Sequence, residues 1–104
     1  MGAVGVRLYL SGPMTGIPGL NRPSFAAVEH FLTEAGYQVT NPAHNDVPDE
    51  APRAEHLRAD LRVLLDCDGV ATLPGYTRSR GARLEVRVAA GLDMPVKPWQ
   101  RWLP

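Results

Sequence analysis

Residues 73–91 read LPGYTRSRGARLEVRVAAG and place a strand end, a loop and a helix start in a row. Leu73-Pro74-Gly75 closes a strand in a turn. Tyr76-Thr77-Arg78-Ser79-Arg80 is a short polar loop, and Gly81 opens a helix that carries one acid, Glu85. The first backbone N–H groups of a helix lack internal partners, so such a junction is a ready anion site. At about 100° per residue, Arg80, Arg83 and Arg87 share one helix face. Glu85 points roughly 160° away from Arg83 and Arg87, beside the small residues Gly81, Ala82 and Ala89. The arginine face is therefore expected toward solvent and Glu85 toward the sheet. A carboxylate on a core-facing stripe is costly unless it is paired or used. The plain alternative is a helix glutamate paired with a neighbouring arginine.

Working outward, the flanking segments alternate. Val4–Leu10 reads as a buried strand bounded by Ser11-Gly12-Pro13. Ser11–Leu20, SGPMTGIPGL, is a Gly/Pro-rich loop, longer than most strand-to-helix connections and suited to a ligand crevice. Asn21-Arg22-Pro23 starts a helix that runs to about Ala35, with Phe25, Val28, Phe31 and Leu32 as its apolar stripe and Gly36 as its stop. Tyr37–Thr40 is a second strand. Ala43–Ala51 is a polar, Pro-containing loop. Pro52–Asp66 is a second helix, with Leu57, Leu61, Leu64 and Leu65 expected inward. Asp68–Leu73 is the third strand and Met94–Lys97 the fourth. The tail PWQRWLP, residues 98–104, offers no clear core position.

Strict β–α alternation predicts an α/β fold: a small flavodoxin- or Rossmann-like three-layer sandwich with a four- to five-stranded, mainly parallel sheet in the order 2-1-3-4. The 104 residues make one domain. The switch point of such a sheet lies between strands one and three, where open α/β sheets bind ligands. Ser11-Gly12-Pro13, Pro74-Gly75-Tyr76 and the loop before Glu85 all converge there.

Eleven basic residues balance eleven acidic ones. That neutrality argues against a partner that is a nucleic-acid polymer held by phosphate neutralisation. A small anion needs only a local nest of donors. The single cysteine, Cys67, fits a reducing cytoplasm. The N-terminal run lacks the apolar length of a signal peptide, position six is Val6 where a myristoylation motif needs Ser or Thr, and no stretch is long enough to cross a membrane. No metal is expected: His30, His44 and His56 show no ligand spacing and there is no cysteine pair. His44 and His56, on or after the polar loop, could approach a ligand. No cofactor is expected either, since GxSxG, GxxxxGK[ST] and GxGxxG are all absent. Among the other acids, Asp66 and Asp68 read as turn and cap residues at the far end of strand three, and Asp60 as the partner of Arg58 or Arg62. Tyr9, near the end of strand one, either reaches the crevice or is a core tyrosine.

Together, YLSGPMTG, NRPSF, NPA, RADL and LLDCDGVATLPGYTRSRGARLE resemble the DUF4406 family, over about Arg7 to Val96. That family is related to the nucleoside 2-deoxyribosyltransferases and the 2′-deoxynucleoside 5′-phosphate N-hydrolases. The resemblance implies a single deoxyribosyltransferase-like domain that acts at an N-glycosidic bond of a small nucleoside or nucleotide. It puts Glu85 at the position of the catalytic nucleophile and Tyr9 at that of the tyrosine near the end of strand one. Ser79 stands six residues before the glutamate, where the transferases commonly carry an acid; serine there suits a 5′-phosphate. On this reading Ser79, Arg80 and the N–H groups of Gly81 and Ala82 hold a phosphate, and Ser11, Gly12, Pro13, Met14 and Gly75 line the substrate pocket. The related enzymes are oligomers, so a homodimer or larger is expected, with Trp99 and Trp102 as an exposed interface pair. The alternative is a non-catalytic nucleotide-binding or sequestering module, and the blandest reading is a structural subunit.

Overall fold

A computed structural model describes residues 5–104. Four strands, β1 (Arg7–Ser11), β2 (Gln38–Thr40), β3 (Gly69–Thr72) and β4 (Val96–Pro98), form one parallel sheet in the order β2-β1-β3-β4. Three helices connect them: α1 (Arg22–Glu34), α2 (Arg53–Leu64) and α3 (Arg80–Gly91). This is the Rossmann-like α/β sandwich that the alternation predicts. The central pair is set by register, with Tyr9 opposite Val70 and Ser11 opposite Thr72.

Because strand side chains alternate, β1 serves two cores at once. Leu8 and Leu10 pack with Phe25, Val28 and Leu32 of α1 and with Ala71 and Leu73. Tyr9 faces the other way, toward Leu64, Cys67, Val70 and Ala89 beneath α2 and α3. Ser11 follows Tyr9 on that second face. Two helices thus cover one side of the sheet, and among the described residues α1 is the one long helix on the other.

The tail completes that thinner side and corrects the expectation for it. Trp99–Trp102 forms a 3-10 turn, and both tryptophans pack against the α1-side core. The Trp102 indole N–H donates to the Val70 carbonyl at 3.0 Å, and Tyr37 Oη donates to the Trp102 carbonyl at 2.6 Å. Trp99 stacks on Phe31 with ring centroids 5.7 Å apart. The pair is half-buried core material, not an exposed interface. Gly69 makes this possible: a Cβ there would lie 2.6 Å from Trp102 Cη2.

Other boundaries shift. The first strand begins at Arg7 and extends to Ser11; Val4 and the N-terminal run lie outside the described residues. The fourth strand is displaced to Val96–Pro98. The polar loop begins with a 3-10 turn, Pro42–His44, capped by the Asn41 side chain, which accepts from the Ala43 N–H. Phe31 is 51% exposed and Leu65 58%, so neither joins the core. Leu57 and Leu61 are half-buried. These helices have narrower apolar stripes than their leucine and phenylalanine content suggests.

Candidate functional site

The carboxyl ends of β1 and β3 and the N-terminal half of α3 meet on the α2–α3 side of the sheet. Glu85 turns inward there and is 5% exposed. Tyr9 Oη donates to Glu85 Oε2 at 2.8 Å, and Ser11 Oγ donates to Glu85 Oε1 at 2.8 Å. Both carboxylate oxygens are therefore held by hydroxyls from alternate positions of one strand, a consequence of period-2 geometry. Ser11 Oγ also lies 3.4 Å from the Ala82 carbonyl. No arginine pairs with Glu85 among the described residues.

Burial dominates the electrostatics. It pushes the Glu85 carboxyl up to about 7, against the two hydroxyl donors, which favour the ionised form; the nearby Asp60 carboxylate adds to the rise. Burial also pushes the Tyr9 phenol well above its ordinary range, with Glu85 and Asp60 adding to it. Tyr9 therefore stays protonated and remains a donor at physiological pH.

Asp60 is the member of this group that the sequence reading misplaced. It forms no ion pair with Arg58 or Arg62 among the described residues. Asn45 Nδ2 donates to Asp60 Oδ1 at 3.1 Å, burial raises the Asp60 carboxyl, and neighbouring His56 opposes that rise. The signal was present: positions 57, 60, 61 and 64 are one helical stripe, so an acid at 60 breaks an apolar face.

A cavity of about 690 Å³ opens next to these residues. Pro13, Thr15 and Ile17 line it from the first loop, and Pro74, Gly75 and Arg78 from the loop after β3. Residues 79–81 and Arg53 close it. Of the predicted pocket residues, Pro13, Gly75, Ser79, Arg80 and Gly81 line this cavity. Ser11 is buried against Glu85 instead. Gly12 packs on Leu73, where a Cβ would come within 2.8 Å of the leucine Cβ, and Met14 packs toward the α1-side core. Glu85 sits one helical turn below Gly81 and is not itself in the cavity wall.

The anion nest is smaller than expected. Ser79 is the N-cap of α3, and its Oγ accepts from the Ala82 N–H at 3.2 Å. That amide is unavailable to a ligand. The Arg83 amide bonds the Ser79 carbonyl at 2.9 Å. Among the described residues the amides of Arg80 and Gly81 have no protein partner, and with the Arg53, Arg78 and Arg80 guanidinium groups they make the cavity a place for an anion. Asn21 Nδ2 donates to the Pro13 carbonyl at 2.9 Å, which ties the first loop over it.

The model of one protein family, described as "Domain of unknown function (DUF4406)", matches residues 6–98. The chain belongs to the DUF4406 family. A search of curated proteins finds no match. The matched span of this DUF4406 domain takes in Tyr9, Ser11, Asp60, Ser79 and Glu85, so the whole carboxylate cluster lies within the family region. Among its described residues no group of three or more His, Cys, Asp or Glu could hold a metal ion, and no helix is long and apolar enough to cross a membrane. His44 Nε2 instead lies 3.3 Å from Glu29 Oε1, the oxygen to which Asn41 Nδ2 also donates.

Proposed function

We propose that this DUF4406 domain breaks the N-glycosidic bond of a deoxynucleoside or its 5′-monophosphate, with Glu85 as nucleophile. The observation that carries the reading is the Glu85 carboxylate held by Tyr9 Oη and Ser11 Oγ, both at 2.8 Å, beside an arginine-lined cavity. Glycosidic cleavage builds positive charge at the anomeric carbon, and an oriented carboxylate stabilises or bonds to that centre. A bond forms from a Glu85 oxygen to that carbon as the carbon–nitrogen bond breaks. The leaving base takes a proton, and Asp60, raised by burial, is the acid at hand to supply it. Water then releases the sugar, or a second base accepts it. The 5′-phosphate sits at the open amides of Arg80 and Gly81. The resemblance to the nucleoside 2-deoxyribosyltransferases and the 5′-phosphate N-hydrolases supports the same assignment of Glu85 and Tyr9.

A second reading is a non-catalytic nucleotide-binding module, active alone or as a homo-oligomer. It is favoured by the position of Glu85 below the cavity wall and by a carboxyl about half protonated at neutral pH. Incubation with a panel of deoxynucleosides and their 5′-monophosphates, followed by chromatography for free base, separates the two. Base release by the wild type that Glu85→Gln abolishes supports catalysis. Calorimetric binding with no base release makes the domain a binding module.

A further inference from the structure

A second cavity, about 340 Å³, lies between α2 and α3. Arg53, Arg80, Arg83 and Arg87 ring it over a floor of Leu57 and Leu84. All four guanidinium-bearing residues are exposed, and none has a carboxylate within ion-pair reach among the described residues. Arg53 and Arg80 stand in the walls of both cavities, so the groove continues the phosphate-accepting cavity.

This arrangement works against folding on two counts. Arg80, Arg83 and Arg87 repel one another at helical spacings of three and four. Arg80 and Arg83 also crowd the N-terminal turn of α3, where the helix dipole disfavours cations, and that turn holds no acid to offset them. In a chain with equal numbers of acidic and basic residues, four unpaired arginines around one groove are a local concentration. A bound anion removes both penalties.

The row has length. Arg80 to Arg87 spans about 10 Å along the helix at about 1.5 Å per residue. One phosphate at the Arg80 and Gly81 amides leaves Arg83 and Arg87 unserved. The groove floor offers two leucines and no aromatic side chain, so it suits a run of phosphates and not a base. We propose that the α2–α3 groove binds the outer phosphates of a nucleoside di- or triphosphate whose first phosphate lies at the start of α3. This rests on the nucleotide reading above and names its substrate class. Paired guanidinium–phosphate bonds give the preference its strength.

The test is calorimetry of the full chain, at one fixed salt concentration, with the 5′-mono-, di- and triphosphates of the four common deoxynucleosides and with inorganic tripolyphosphate. The triphosphate is expected to bind about tenfold or more tighter than the monophosphate. The double variant Arg83→Ala/Arg87→Ala should lose that gain while holding the monophosphate within about twofold of the wild type. Arg62→Ala/Arg101→Ala, on exposed arginines away from both cavities, should keep it. Equal affinity for mono- and triphosphate overturns the proposal. So does a gain that survives the groove variant, or one that the control variant loses equally. The nucleotide reading fails separately: tripolyphosphate binding that depends on Arg83 and Arg87, with no nucleotide preferred over it, leaves the groove an anion site without a nucleoside. Base release from monophosphates with no phosphate-number preference leaves the catalytic reading standing and the groove refuted.

Discussion

Glu85→Gln should make this protein more stable, and only above a certain pH. Burial holds the Glu85 carboxyl near 7 in the folded chain, against about 4.5 in the unfolded one. A group whose folded value is raised contributes stability that is complete below its unfolded value and is lost as pH rises through its folded value. The gap, at about 1.4 kcal/mol per pH unit, amounts to about 3 kcal/mol lost between pH 4.5 and pH 7 and beyond. Glutamine mimics the protonated acid. Its carbonyl accepts from one hydroxyl, its amide donates to the other, and it never ionises. At pH 4 the two proteins should therefore unfold at nearly the same urea concentration. At pH 8.5 the glutamine variant should be more stable by about 3 kcal/mol, a large share of a small domain's total. Urea unfolding followed by circular dichroism at half-unit pH steps measures this, and comparison at equal pH cancels every other titration that the two proteins share. A difference absent at pH 8.5, or of the opposite sign, would show that the carboxyl is hydrated or paired in solution. The buried-carboxylate account of the site would then fail.

Further outcomes follow from the same geometry. With ionised Glu85 as nucleophile and protonated Asp60 as acid, base release should follow a bell-shaped pH profile, and Asp60→Asn should remove its alkaline limb; an alkaline limb that persists in Asp60→Asn removes Asp60 from that role. Asp60→Asn removes a carboxylate that raises Glu85, so the stability gap between Asp60→Asn and Asp60→Asn/Glu85→Gln should level off at a lower pH, and be smaller at pH 8.5, than the gap between the parent pair. An unchanged gap would mean that the two acids do not sense each other. Gly69→Ala should cost about 1–3 kcal/mol by forcing Trp102 off the sheet. In a Trp102→Ala background the same change should cost close to nothing, and a double-mutant cycle in urea checks the coupling.

The element order, the strand order and the inward turn of Glu85 were legible in the chain because each rests on a local period. Alternation of strand and helix patterns implies a parallel sheet with right-handed crossovers, which leaves few topologies. A two-residue step turns Glu85 away from Arg83 and from Arg87 whatever the helix packs against. Gly81 likewise announces the helix start, which falls one residue earlier, at Arg80; the Ser79 cap is readable from the same local rule, although the family resemblance assigns Ser79 to a phosphate.

Tertiary structure alone decided what each group touches. Ser11 reads as a loop residue beside a pocket, yet register with Thr72 turns its hydroxyl onto Glu85. Asp60 reads as a surface acid beside two arginines, and becomes a half-buried neighbour of Tyr9 and Glu85 because α2 rests that stripe on the sheet. The two tail tryptophans have no periodic pattern to betray them. They are half-buried because, among the described residues, one sheet face has two long helices and the other one, and the uncovered apolar area draws in whatever large side chains the chain can deliver. Period and composition set the elements and their order; side-chain partners depend on contacts between residues far apart in sequence, which exist only once the layers have closed.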